Sequence, residues 1–239
     1  MQLFIVRHGE SGNNALVDSS KRTKDPKLTE KGEEQIVHVG RFMAAGGHLS
    51  AAERAAGDPV LDQLYCSPMW RCLRTAQPIG EETGLVPEVW IDIHESGGIY
   101  LDHGDERGVV GYPGMTRSEI IAEFSGYLLP EGVTEEGWWC GGFERSHLCH
   151  ARAMGVVEQL RSWAQEDHLA GRRRRLALVS HGGFMHSFLM ALGMGLPGNG
   201  IAFHHDNTAI DRVEFDAKGN VKVLYVNRVT HLPGELVSS

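Results

Sequence analysis

The stretch IVRHGESGNN, residues 5–14, carries an apolar run into an arginine and a histidine, then into a turn of glycine and asparagine. The residues QLFIV (2–6) are without a helical period and read as a short buried strand. Arg7-His8-Gly9 therefore stands at a strand tip. Such a pair is either a solvated strand end or a mount for a ligand. The choice turns on what stands at the tips of the other strands.

Working outward, LTEKGEEQIVHVGRFMAAGG (28–47) carries a helix. Thr29 suits the N-cap and Glu30, Glu33 and Glu34 the first turn, while Ile36, Val39, Gly40 and Met43 share one face before Gly46-Gly47 ends it. LDQLYC (61–66) is a second strand. Ser67 and Pro68 follow as N-cap and first residue of a helix that runs to about Thr83 and stops at Gly84. VWIDI (89–93) is a third strand and leads into His94-Glu95. A long helix over about 145–168 buries Val156, Val157, Leu160 and Trp163. LALVS (176–180) is a fourth strand, followed by His181-Gly182-Gly183 and a helix carrying Phe184, Phe188, Leu189 and Leu192. AIDRVEF and VKVLYV alternate at period two around residues 217–220, a hairpin.

Residues 96–144 break this rhythm. They are rich in glycine and aromatic residues, with one capping box, Thr116-x-x-Glu119, before a short helix. The segment reads as an insertion lying over a site. Strands alternating with helices predict a single α/β domain over 1–239, a three-layer α/β/α sandwich with a mainly parallel sheet. In such sheets ligands bind beyond the carboxyl ends of the strands. Arg7-His8-Gly9, Ser67-Pro68 with Arg71, His94-Glu95 and Ser180-His181-Gly182 are then expected to converge on one crevice.

Bulk properties narrow the classes of function. With 41% hydrophobic and 23% charged residues, the chain has the composition of a folded globular protein. A formal net charge of −8 argues against general affinity for nucleic acid or an anionic membrane, and leaves room for a local cationic pocket. Arg7 and His8 interrupt any secretory apolar segment, and no run approaches the roughly 18–20 apolar residues of a membrane span. Cys66, Cys72, Cys140 and Cys149 contain no Cys-x-x-Cys pair, so the expectation is reduced thiols in a cytoplasmic protein, with neither a zinc framework nor a disulfide scaffold.

Two arginines facing one crevice call for an anion, and guanidinium forks match phosphate oxygens in bidentate geometry. Arg71, in the first turn of its helix, adds the prospect of free backbone N–H groups, and Asn14 that of a further donor. With phosphate held, a neutral imidazole can attack phosphorus while a second stabilises the equatorial oxygens. Glu95 is the candidate acid for the leaving alcohol and then base for water. Arginine and histidine would supply the charge that a metal supplies elsewhere, so neither metal nor cofactor is expected.

These residues resemble the signature of the histidine phosphatase superfamily, in the branch that includes cofactor-dependent phosphoglycerate mutase. The resemblance rests on Arg7-His8-Gly9-Glu10-Ser11 with Asn14, on Leu28-Thr29-x-x-Gly32, on Ser67-Pro68-x-x-Arg71-x-x-x-Thr75-Ala76 and on Ser180-His181-Gly182, in the family's order over residues 1 to about 195. It implies a phosphoglycerate mutase-like fold, His8 as nucleophile, a phosphate pocket of Arg7, Arg71 and His181, and Glu95 as proton donor. Mutases of the family carry Trp and Gly where this chain has SSKRTKDPK (19–27), an Arg-His-Tyr-Gly-like run where it has SGGIY (96–100), and Asn where it has Gly183. A phosphomonoesterase acting on a small phosphorylated substrate is therefore the first reading, mutase-type phosphotransfer the alternative, and a non-catalytic phosphate-binding regulator the third.

Other motifs read more simply. Gly193–Gly198 matches a dinucleotide-binding glycine pattern but follows a helix, so it is expected to stop that helix. His147, Cys149 and His150 suit surface or packing positions, and the Arg172–Arg175 run a solvated approach to a strand. His204-His205-Asp206 forms either a structural loop or a substrate contact. Trp138, Trp139 and Tyr100 line the pocket or build the insertion's own core. The C-terminal hairpin offers an edge through which a homodimer is possible.

Overall fold

The computed structural model describes residues 1–194 and 200–239. Strands β1 (Gln2–Arg7), β2 (Gln63–Cys66), β3 (Pro87–Val89), β6 (Arg175–Ser180), β7 (Ile210–Phe215) and β8 (Val221–Arg228) form one sheet in the order β3-β2-β6-β1-β7-β8. β1, β2, β3 and β6 run parallel, and β7 is antiparallel to both of its neighbours. A second, two-stranded sheet pairs β4 (Tyr100–Asp102) with β5 (Val109–Gly111). The helices are α1 (Glu30–Ala44), α2 (Ala51–Ala55), α3 (Trp70–Thr83), α4 (Arg117–Glu123), α5 (Ser146–Leu169) and α6 (Gly182–Leu189).

Every residue of β1 and β6 is buried, because helices cover both faces. The alternation of β1 sorts its side chains. Phe4 and Val6 join Val39 and Met43 of α1 and Leu73, Ala76 and Ile79 of α3 in one core cluster. Leu3 and Ile5 join Val156, Val157 and Leu160 of α5 and Phe184 and Phe188 of α6 in the other. The layers are thus α1/α3, sheet, α5/α6, the α/β sandwich read from the alternating pattern. Ile120, Phe124, Val133 and Trp138 of segment 96–144 belong to the first cluster, so this segment shares the apolar core beneath it.

Local signals were faithful where a side chain meets its own backbone. Thr29 caps α1 by accepting from Gly32 N, both halves of the Thr116/Glu119 capping box are made, and Gly84 closes α3 at φ 75°. Three expectations are corrected. The third strand ends at Val89, and Ile91–Ile93 form a 3₁₀ turn. That turn buries Ile93 completely and offers its carbonyl to Ser180 Oγ at 2.7 Å, a packing that the alternating VWIDI pattern does not distinguish from a strand. Helix α3 begins at Trp70, and Ser67 does not cap it. Arg174 and Arg175 are not solvated: Arg174 pairs with buried Asp167 at 2.6 Å, and Arg175 donates to Gln2 Oε1 at 2.8 Å. Of the Gly193–Gly198 run, Gly193 takes φ 93°, as a helix stop requires, and residues 195–199 lie outside the described residues. No helix among the described residues is long and apolar enough to cross a membrane.

Burial pushes His48, His94 and His231 each down to about 4. The unfolded chain takes up these protons first, near the ordinary histidine value of about 6.5. Stability is therefore full above that value and is lost as pH falls from 6.5 to 4, by about 3 kcal/mol per histidine at the limit. Denaturant midpoints measured from pH 7.5 to 4.5 are expected to fall steadily below pH 6.5. A flat profile would contradict the neutral, buried state of these rings.

Candidate active site

Parallel register brings the strand ends level. Arg7 of β1 lies opposite Ser180 of β6, and Cys66 of β2 opposite Val179. Pairing runs one residue further, with His8 N donating to Ser180 O at 2.9 Å and Ser67 N to Val179 O at 3.0 Å. His8, Ser67 and His181 thus leave the sheet side by side, and the His8 and His181 rings stand 5.1 Å apart between centroids. The loop after β1 is pressed onto α1. A Cβ on Gly9 would lie 2.8 Å from Gly32 O, and one on Gly32 would lie 2.1 Å from Glu10 O, so both positions require glycine.

His8 Nδ1 lies 2.7 Å from Gly9 O, a partner that can only accept, which places the proton on Nδ1 and the lone pair on Nε2. Arg71 Nε donates to that lone pair at 3.1 Å. Burial, then the Arg71 and Arg7 charges, hold His8 well below the usual histidine value, so it is neutral. Burial and the Arg71 charge act in the same direction on His181, whose Nε2 lies 2.8 Å from Ser67 Oγ. The Ser67 hydroxyl thus serves the second histidine.

Arg7 and Arg71 are both buried. Arg7 Nη1 donates to the carbonyl of His205, while its Nε has no hydrogen-bond partner among the described residues. A Cβ on Gly182 would stand 3.4 Å from that Nε, at ordinary contact distance. Arg71 is held by Asp25, whose Oδ1 lies 3.4 Å from Nη1 and whose Oδ2 accepts from Trp70 N at 3.1 Å. At the α3 N-terminus, Asp25 takes the N–H of Trp70 and Ser67 Oγ that of Met69. Asp25 was not singled out in the sequence; a lone aspartate in a lysine-rich loop carries no signal for a contact with a helix 45 residues away.

Glu95 Oε1 accepts from Ser96 N at 2.8 Å and Phe184 N at 3.1 Å, which seats the carboxylate on the first turn of α6. A Cβ on Gly183 would come within 2.6 Å of that oxygen. Asn14 is oriented by Ser11, which donates to its Oδ1 from N at 3.1 Å and Oγ at 2.8 Å. A cleft of about 50 Å³ is lined by Arg71 and Glu95 with Asn13, Arg22, Thr23, Lys24, Ser96 and Tyr100. Tyr100 reaches the cleft, whereas Trp138 and Trp139 pack against the His94 ring at 5.4 and 4.7 Å. His204 is exposed and pairs with Asp206, while His205 is buried on Asp211 and contributes only its carbonyl.

Two histidines, two buried arginines and a carboxylate thus stand at and just past the ends of the parallel strands. The chain belongs to the histidine phosphatase superfamily (branch 1), whose family model matches residues 3–228. It is 27% identical over 198 residues, 82% of this chain and 75% of the relative, to a glucosyl-3-phosphoglycerate phosphatase of Mycolicibacterium vanbaalenii. Among solved structures it resembles a phosphoserine phosphatase of Entamoeba histolytica in complex with phosphoserine (TM-score 0.59, 20% identity, 97% of this chain and 99% of that one). It also resembles a mycobacterial glucosyl-3-phosphoglycerate phosphatase in complex with inorganic phosphate (TM-score 0.57, 20% identity, 97% and 99%). This enzyme is a phosphatase of that superfamily.

Proposed function

We propose that the chain hydrolyses small phosphomonoesters through a phosphohistidine on His8, with Arg7, Arg71, His181, Asn14 and Gly182 around the phosphate and Glu95 as proton donor. The observation that carries this reading is the neutral His8, its Nε2 lone pair one hydrogen bond from Arg71 and its neighbour Arg7 holding a buried, unpartnered Nε–H. Phosphate oxygens supply the missing acceptor. His8 Nε2 attacks phosphorus, the P–O bond to the alcohol breaks, and the proton of Glu95 passes to the leaving oxygen. Oε1 is occupied by two N–H donors, so Oε2 carries that proton. In the second half the carboxylate takes a proton from water, whose oxygen displaces His8 from phosphorus and releases inorganic phosphate. The arginines supply the positive charge, the His181 ring offers a further polar contact to the equatorial oxygens, and no metal takes part. The test is phosphate release from a panel of phosphomonoesters in chelator, with the His8→Ala variant as control. Release that survives in that variant overturns the reading.

The remainder of the substrate is read by segment 96–144, acting as a lid, and by the SSKRTKDPK loop, which replaces the mutase-type residues with Arg22 and Lys24. Two exposed cations beside a site already furnished with Arg7 and Arg71 favour a substrate with a second anionic group. Phosphoserine and phosphoglycerate, in the names of the relatives, are phosphorylated carboxylic acids. Arg22→Gln is expected to lower kcat/KM on phosphoserine or 3-phosphoglycerate by about 3- to 10-fold, an exposed charge-assisted contact, and to leave p-nitrophenyl phosphate unchanged. Equal effects on both would remove Arg22 from substrate recognition. The unpaired thiols of Cys66, Cys72 and Cys149 favour a cytoplasmic setting, and the outer edge of β8 is where a homodimer would form.

A further inference from the structure

Arg152 on α5 has no place in the strand-tip motifs, yet all five of its N–H donors are engaged. Its Nε and Nη2 grip Glu144 in bidentate fashion at 2.9 and 2.6 Å. Its Nη1 donates to two backbone carbonyls, Asp92 O at 2.7 Å and His94 O at 3.0 Å. The remaining Nη2 direction meets Cys149 Sγ at 3.6 Å. The guanidinium carbon lies 5.0 Å over the ring of Phe184. Arg152 and Glu144 are both nearly buried, with side-chain exposures of 11% and 6%.

Three of these contacts lead to the surroundings of Glu95. His94 is the residue before it. Phe184 is the residue whose N–H holds its Oε1. Glu144, the residue that anchors Arg152, donates its own backbone N–H to Gly97 O at 3.0 Å, two residues beyond Glu95. The backbone is thus pinned on both sides of the carboxylate, and the guanidinium also covers the ring of the residue whose amide orients it. Such a five-point arrangement needs a planar fork; a lysine has three donors on a point charge and cannot reproduce it.

We propose that Arg152, locked by Glu144, is the positioning residue that fixes Glu95 for proton transfer; the proposal rests on Glu95 being the proton donor. A carboxyl displaced by even an ångström still fills its space but no longer meets the leaving oxygen. Among the described residues no hydrogen bond joins Arg152 or Glu144 to Arg7, His8, Arg71 or His181; the Arg152 charge reaches the pocket only as a minor influence on His181.

The experiment is a cycle of Arg152→Lys, Glu144→Gln and Glu95→Gln, each assayed on an alkyl phosphate, a poor leaving group, and on p-nitrophenyl phosphate, a good one. Arg152→Lys is expected to lower kcat on the alkyl ester by about 10- to 100-fold and on the aryl ester by less than about threefold. In the Glu95→Gln background the same substitution should have no further effect on the alkyl ester, because no proton donor remains to be misplaced. Glu144→Gln, which keeps shape and removes the charge, should repeat the pattern more weakly and serves as the test if Arg152→Lys fails to fold. Equal losses on both esters, or a full additional loss in the Glu95→Gln background, would overturn the clamp while leaving the proton donor in place. A Glu95→Gln variant without leaving-group selectivity would overturn the proton-donor assignment and the clamp with it.

Discussion

The His8→Ala variant should lose about four to six orders of magnitude in kcat, on good and poor leaving groups alike. No neighbouring group can stand in for the missing nucleophile. The His181 ring is 5.1 Å away with its Nε2 committed to Ser67. The Cys72 thiol, which touches that ring, is pushed well above its ordinary value by burial and stays protonated, hence unreactive. Arg7 and Arg71 remain, so inorganic phosphate and orthovanadate should bind within a few-fold of their affinity for the parent enzyme. The loss would then fall in the chemical step, as the removal of a covalent intermediate requires. Rapid-quench labelling from a phosphorylated substrate should give an acid-labile, base-stable adduct in the parent and none in the variant. An adduct retained in the variant would place the nucleophile elsewhere.

Glu95→Gln is the second large effect, and it depends on the substrate. Glutamine keeps the shape of the side chain, and its Oε1 can still accept from Ser96 and Phe184, so the fold around α6 should be unchanged. What is lost is the proton on the other oxygen. General acid catalysis is worth about 10²–10⁴-fold, and that loss is expected on alkyl phosphates, whose leaving oxygen must be protonated. On p-nitrophenyl phosphate, which departs as a stable anion, the first step should slow by less than about tenfold, and the phosphohistidine should accumulate because water is no longer activated. Burst kinetics separates the two steps. Equal slowing of both esters, with no burst, would assign the proton transfer to another group.

Much of this site was legible because its residues sit next to the elements that carry them. Arg7-His8 and Ser180-His181 stand at the tips of β1 and β6, Arg71 lies five residues past β2 and Glu95 six past β3, and the parallel sheet brings strand ends to one edge. Asp25, the His205 carbonyl and the Arg152–Glu144 pair were not legible. Asp25 reaches α3 from an irregular loop, and His205 meets Arg7 across 198 residues. Gly183 stands between the two cases. It reads as a departure from the mutase pattern, and in the tertiary structure it leaves room for the Glu95 carboxylate against the Phe184 amide, since a Cβ there would lie 2.6 Å from Oε1.

By itself the sequence determined the class of fold, the strand tips and the chemistry mounted on them. Alternation, caps and glycine stops are local, set by a side chain and the backbone within a turn of it. The tertiary structure alone decided which donors remain open and which are spent. It gave the N–H of Trp70 to Asp25 and left the Nε–H of Arg7 unpartnered. It folded Ile91–Ile93 into a turn and set Trp138 and Trp139 against His94. Those outcomes follow from contacts between residues tens to hundreds of positions apart, where burial strips water from every polar group and each donor must find an acceptor nearby or keep one for the substrate.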